Sequence, residues 1–65
     1  MNRFKQMLSN YISTTQKQDV SNVVDIDIHW EKDEPCFYVT YIYVVKSNRW
    51  ERANITIQIA ALKGW

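Results

Sequence analysis

The feature that most constrains this sequence is the stretch from Cys36 to Ala61, where two long apolar segments flank a short polar one. The first segment reads CFYVTYIYVV and the second reads ANITIQIAA, with KSNRWER between them. Aromatic and β-branched residues favour β-strands, and Ser and Asn favour turns. The stretch therefore predicts a β-hairpin with strands at about residues 36–46 and 50–60.

Alternation between apolar and polar residues predicts a third strand upstream. Val24, Ile26, Ile28 and Trp30 alternate with three acidic residues and His29. A period of two places one side of a strand against the core and the other toward solvent. We therefore predict a strand at about residues 22–31, with its acidic side outward.

The N-terminal segment carries apolar residues at the spacing of one helix face. Asn2 precedes the pattern and is a good N-cap residue, since its side chain can accept a bond from a free backbone N–H. The pattern predicts an amphipathic helix at about residues 2–16. The residues of the apolar stripe are Phe4, Met7, Leu8, Tyr11 and Ile12.

These elements predict an α+β fold in one small domain of 65 residues, with a single N-terminal helix packed on a three-stranded antiparallel β-meander (αβββ). The odd positions of the second strand are expected to point inward, because they include Phe37 and Val39 whereas the even positions include Thr40 and Lys46. The predicted core consists of Phe4, Leu8, Tyr11, Ile12, Val24, Ile26, Ile28, Phe37, Val39, Tyr41, Ile55, Ile57 and Ile59.

The composition limits the cellular locations and the classes of binding partner to be expected. The net charge of +1 gives no overall attraction to nucleic acid or to an anionic membrane. Cys36 is the only cysteine, so no internal disulfide can form and a reducing, cytoplasmic location is expected. No apolar run approaches the roughly 20 residues of a membrane span, and we expect no membrane association.

The side of the sheet that faces away from the helix is the main functional clue. One helix covers one side only, and the even positions of the second strand would leave an apolar centre with a polar rim on the other. That arrangement is typical of a protein-binding surface. A plainer interpretation is that these residues raise strand propensity or that the C-terminal tail covers them. The candidate protein-binding residues are Tyr38, Thr40, Ile42, Val44, Arg52 and Trp65.

The sequence therefore favours a small non-enzymatic protein-interaction module, an intracellular regulator or inhibitor such as a phage-type inhibitor or an antitoxin-like protein. We expect it to bind another protein through its sheet face and to form a homodimer. A chain of this size has little room for a preorganised catalytic pocket, and no cofactor is predicted.

A nucleic-acid-binding domain is the alternative. Basic and aromatic residues cluster at the second hairpin, and single-stranded nucleic acid is bound by such combinations of stacking rings and cations. The residues of this alternative are Lys46, Arg49, Trp50 and Arg52.

Two further patterns are candidate chemical sites. Asp25, Asp27 and His29 share a strand face, but same-face residues lie about 7 Å apart and converge on one ion only if the strand is bulged. Cys36 and His29 are potential nucleophile and base, yet no oxyanion hole is recognisable. We predict no metal site and no catalytic residue.

Overall fold

A computed structural model describes residues 2–65 and confirms the predicted αβββ fold class. Helix α1 (Arg3–Gln16) is followed by three strands and a short 3₁₀ helix, η1 (Ile59–Leu62). The strands are β1 (Asp19–Glu31), β2 (Glu34–Val44) and β3 (Trp50–Gln58), and they form one antiparallel sheet in the order β1-β2-β3. Within the described residues, no helix is long and apolar enough to cross a membrane.

Local sequence signals set both ends of α1. At its start, the Asn2 Oδ1 accepts hydrogen bonds from the backbone N–H of Phe4 at 2.7 Å and of Lys5 at 3.4 Å. At its end, Lys17 adopts a left-handed conformation (φ 54°), and its N–H donates to the Ser13 carbonyl. Both caps satisfy backbone groups that a helix end leaves free. The helix therefore begins and ends close to the predicted positions.

Both hairpin turns have two central residues with positive φ. These are Lys32 and Asp33 in the first turn and Ser47 and Asn48 in the second. Positive φ at both positions is the geometry of a type I′ turn, whose twist matches that of the strands it joins. The first turn leaves Glu31 paired with Glu34, so β2 begins two residues before its predicted start.

Two irregularities in β1 change which residues face the core. The pairing with β2 shifts between Val20 and Asn22 and again between Val23 and Asp25. Each shift inserts one extra residue, as in a β-bulge, and reverses the alternation beyond it. Val23 is therefore buried (3% exposed), whereas Val24, which was predicted to lie in the core, is 39% exposed. The strand also starts at Asp19, three residues before its predicted start.

The helix packs on one side of the sheet, which we call the covered face. The odd positions of β2 point to this face, as predicted, with Val39 and Tyr41 buried. The Tyr41 hydroxyl donates a hydrogen bond to Gln18 Oε1 in the connection between α1 and β1. The buried cluster on this face contains Leu8, Ile12, Val23, Val39, Tyr41, Ile57 and Leu62.

The C-terminal segment also lies on the covered face. Leu62 of η1 belongs to the same buried cluster as Leu8 and Ile12, and the Trp65 ring packs against Tyr11. The helix lies nearest to β1, whereas η1 lies nearest to β2 and β3. The tail thus completes the cover that the helix begins, and β3 ends two residues earlier than predicted because η1 starts at Ile59.

The hairpin of β1 and β2 extends beyond the start of α1. The Phe4 and Phe37 rings, with centroids 5.2 Å apart, mark the limit of the helix cover. Beyond them, Ile28 is 67% exposed and Trp30 is 69% exposed, although both were expected on a buried strand face. A strand of 13 residues is about 40 Å long and a helix of 14 residues about 21 Å, so the helix cannot reach them.

Candidate functional site: the open sheet face

The opposite side of the sheet, which we call the open face, has no helix or tail over it within residues 2–65. The register places the even positions of β2 in its centre, between residues of β1 on one side and of β3 on the other. The rows across the face, from one end to the other, are His29-Cys36-Gln58, Asp27-Tyr38-Thr56, Asp25-Thr40-Asn54, Asn22-Ile42-Arg52 and Asp19-Val44-Trp50.

The centre of the open face is apolar and its margins are polar. Tyr38, Thr40, Ile42 and Val44 are half-buried, and within the part of the chain that the structure describes their cover comes from the sheet itself. The flanking residues of β1 are mainly exposed carboxylates, and those of β3 are an arginine, a tryptophan and exposed amide or hydroxyl side chains. An apolar strip within a polar rim is thus present in three dimensions as well as in sequence.

The structure brings five of the six predicted protein-binding residues together. Tyr38, Thr40, Ile42 and Val44 follow one another along β2, and Arg52 lies directly opposite Ile42 on β3. Trp65 is separate from them, since its ring contacts Tyr11 on the other side of the sheet. The tail therefore does not cover the apolar strip.

The four residues of the nucleic-acid alternative lie at one end of the molecule. Lys46 and Arg49 belong to the second turn, where the Arg49 N–H donates to the Lys46 carbonyl at 3.2 Å. Trp50 is 60% exposed and lies on the open face next to Arg52 along β3. Trp50 is opposite Val44 and therefore also extends the apolar strip, a role that sequence reasoning did not give it.

The two hairpin turns give the molecule oppositely charged ends. Residues 31–34, the acidic tip, contain three carboxylates and one lysine, which makes a formal charge of −2. Residues 46–52, the basic tip, contain three cations and one carboxylate, which makes +2. The Arg49–Glu51 pair in the basic tip, at 4.0 Å between exposed side chains, contributes little. The eleven residues of β2 separate the tips by about 33 Å.

A cluster of three possible metal ligands lies at the acidic end of the open face. His29 pairs with Cys36 across β1 and β2, and Glu31 follows His29 on the same side of β1. The ligand atoms of the three side chains all lie within 4.8 Å of one another. Asp25 and Asp27, which share a strand face with His29 in the sequence pattern, do not belong to this cluster. The cross-strand register, which follows from the two-residue turn, is the signal that could have identified this cluster from the sequence.

Side chains around Cys36 cover its thiol, including Gln58 on the β3 side. The Gln58 Nε2 donates a hydrogen bond to Glu34 Oε2 at 2.8 Å, beside the thiol. The Tyr38 ring lies 5.7 Å from the imidazole of His29, measured between centroids. Cys36 is consequently fully buried although it lies on the open face, and no cavity adjoins it within residues 2–65.

Comparisons with protein-family models, with curated proteins and with solved structures give no match to this chain.

Proposed function

We propose that this chain is a small non-enzymatic protein-interaction module, an intracellular regulator or inhibitor, and that the open face is its binding surface. The observation that carries the proposal is the position of both covering elements. Because α1 and the C-terminal segment lie on the same side of the sheet, the strip of Tyr38, Ile42 and Val44 has no partner within the described chain.

The total surface supports the same proposal. A compact monomer of 7.8 kDa is expected to expose about 4,400 Å², whereas this chain exposes 4784 Å². The molecule is also elongated, at 41 × 20 × 20 Å. A standard interface buries about 800 Å² per partner, which is about a sixth of this surface. An open face along the sheet has the shape that such an interface requires.

Charge complementarity favours a second copy of this chain as the occupant. If two copies stack their open faces about a two-fold axis with their strands antiparallel, each acidic tip lies near the basic tip of the other copy. With the strands parallel, like charges would meet at both ends. The tips are several Debye lengths apart within one chain, so each acts as a separate local field. The antiparallel homodimer is therefore the assembly we propose.

A self-titration with matched variants tests the binding surface. A fluorescently labelled chain is titrated with unlabelled chain while its anisotropy is recorded. Ile42→Arg should weaken self-association at least tenfold, because a guanidinium in the middle of the interface loses its hydration without gaining a partner. Thr14→Arg, which places the same side chain on the exposed surface of α1, should leave the affinity unchanged.

The result that would contradict this surface is equal affinity for the two variants. Far-ultraviolet circular dichroism shows whether Ile42→Arg still folds. Unfolding of Ile42→Arg would contradict its placement on the open face, since an exposed arginine on a solvated strand is tolerated.

Nucleic-acid binding through the basic tip is the second candidate, and the exposure of Trp50 beside Arg52 favours it. A free indole next to cations suits base stacking with phosphate neutralisation. The dependence of binding affinity on salt concentration distinguishes the two functions. Phosphate-driven binding of a labelled single strand should weaken steeply between about 50 and 200 mM salt, whereas an apolar protein interface should change little. Absence of single-strand binding at 50 mM salt would exclude this candidate.

A further inference from the structure

We infer that His29, Glu31 and Cys36 form a binding site for a divalent transition metal ion of the zinc type, with one coordination position left for water. The site lies on the open face at the acidic tip, away from Ile42. It is a property of the chain additional to the proposed binding of protein.

The donor set selects the class of ion. Cys36 offers a thiolate sulfur, His29 an imidazole nitrogen and Glu31 a carboxylate oxygen. Zn²⁺ and Co²⁺ accept this mixture of ligands in tetrahedral sites, whereas Mg²⁺ and Ca²⁺ require oxygen ligands throughout. Three protein ligands with a solvent position form an open site, and the exposed side of Glu31 provides that position.

The distances are close to those of a shared ion. In a tetrahedral site with zinc–ligand bonds of about 2.0–2.3 Å, the ligand atoms are about 3.3–3.7 Å apart. The His29 Nε2 and Glu31 Oε2 are already 3.5 Å apart. All three ligand atoms lie within 4.8 Å of one another, so the largest separation exceeds the tetrahedral range by about 1 Å at most.

The imidazole nitrogen lacks the partner that its burial requires. The His29 Nε2 is buried and forms no hydrogen bond with any of residues 2–65, although the ring itself is partly exposed. Its 3.5 Å separation from Glu31 Oε2 exceeds normal hydrogen-bond length. Buried polar atoms are almost always satisfied, and an ion bound to the nitrogen lone pair would satisfy this one.

The thiol changes state when the ion binds. The Cys36 thiol donates a hydrogen bond to the Glu34 carbonyl oxygen at 3.6 Å. Binding transfers that proton to solvent and forms a bond between the thiolate and the ion, so one proton is released per ion. In the monomeric chain, the carboxylates of the acidic tip raise the local concentration of cations around the entry side.

Cobalt gives a direct test because its spectrum reports its ligands. The folded full chain, kept reduced with a reductant that contains no thiol, is titrated with Co²⁺ alone. We expect one ion per chain, visible bands of tetrahedral Co²⁺ and a near-ultraviolet charge-transfer band from thiolate to metal. Cys36→Ala should abolish the charge-transfer band. Zn²⁺ should displace the cobalt and raise the midpoint of thermal unfolding.

A matched pair of variants separates the site from general attraction to the acidic tip. Glu31→Gln removes an exposed ligand without threatening the fold. Loss of a residue that merely supports a ligand weakens metal binding by about 10–100-fold, so loss of the Glu31 ligand should weaken it at least as much. Asp33→Asn removes a neighbouring charge from an exposed turn position of the acidic tip and should change affinity less than threefold. Absence of the charge-transfer band at millimolar Co²⁺, or equal weakening by both variants, would overturn the site.

Discussion

Trp65, the last residue of the chain, packs edge to face on Tyr11 of α1, with ring centroids 5.1 Å apart and the rings inclined by 72°. The contact holds the C-terminal segment on the same side of the sheet as the helix. One side of the sheet thereby receives two covering elements, whereas the other side receives none within residues 2–65, and this difference is the origin of the open face.

A double-mutant cycle measures this contact. Replacing Tyr11 and Trp65 by Ala, singly and together, should give a coupling free energy of about 0.5–1.5 kcal/mol, the range for edge-to-face aromatic pairs. Chemical unfolding followed by circular dichroism supplies the free energies. The same cycle between Tyr11 and the exposed Trp30 serves as the control and should give a value near zero. A coupling free energy of zero between Tyr11 and Trp65 would contradict the packing of the C-terminal segment on the covered face.

The bulges in β1 predict unequal costs for two neighbouring valines. Val23→Ala removes two buried methyl groups and should lower the free energy of unfolding by roughly 1.5–3 kcal/mol. Val24→Ala lies in the extra position of a bulge and should cost less than about 1 kcal/mol, since its side chain is partly exposed. The comparison is internal, because both variants make the same chemical change. A larger loss of unfolding free energy for Val24→Ala than for Val23→Ala would contradict the bulges and favour the regular strand that the sequence alone suggests.

Tyr41 makes stability depend on pH in the alkaline range. Burial, aided by the nearby Tyr43, raises the pKa of the Tyr41 phenol above its ordinary value of 10.0. The folded state then holds the proton more tightly than the unfolded state. This contribution is complete below about pH 10 and is lost as the pH rises through the higher folded pKa.

Tyr41→Phe isolates that effect. The variant should lose about 0.5–1.5 kcal/mol at neutral pH, because the hydrogen bond to Gln18 is gone. Its free energy of unfolding should then fall less steeply above pH 10 than that of the unaltered protein. Urea unfolding at a series of pH values measures both slopes. Identical slopes would show that the Tyr41 phenol is as accessible to water in the folded chain as in the unfolded one.

Much of the fold follows from periodicity. The helix was predictable from the spacing of Leu8 and Ile12 and from the capping residue Asn2, and the inward side of β2 followed from Phe37 and Val39. The errors arose where periodicity is interrupted. Nothing in the local sequence at Val23 and Val24 shows a bulge, because both residues suit a strand equally well and only pairing with Tyr41 decides between them.

The candidate site was also predictable only in part, because some of its features follow from periodicity and others depend on how the strands pair. The apolar strip follows from a strand with apolar residues at both parities, which one helix cannot cover. The neighbourhood of His29 and Cys36 depends on the length and type of the turn between them, and a change of one residue would separate the two side chains. The exposure of Trp30 depends on the relative lengths of helix and hairpin, which local patterns do not reveal.

The central claim is that the open face binds a second copy of this chain, and molar mass in solution tests it most directly. Multi-angle light scattering over a range of micromolar to millimolar chain concentrations should show a rise from 7.8 kDa toward twice that mass. Ile42→Arg should remain at the lower mass over the same range while retaining the helix signal in circular dichroism. A mass of 7.8 kDa for the unaltered protein at every concentration, or the same rise for Ile42→Arg, would contradict the claim.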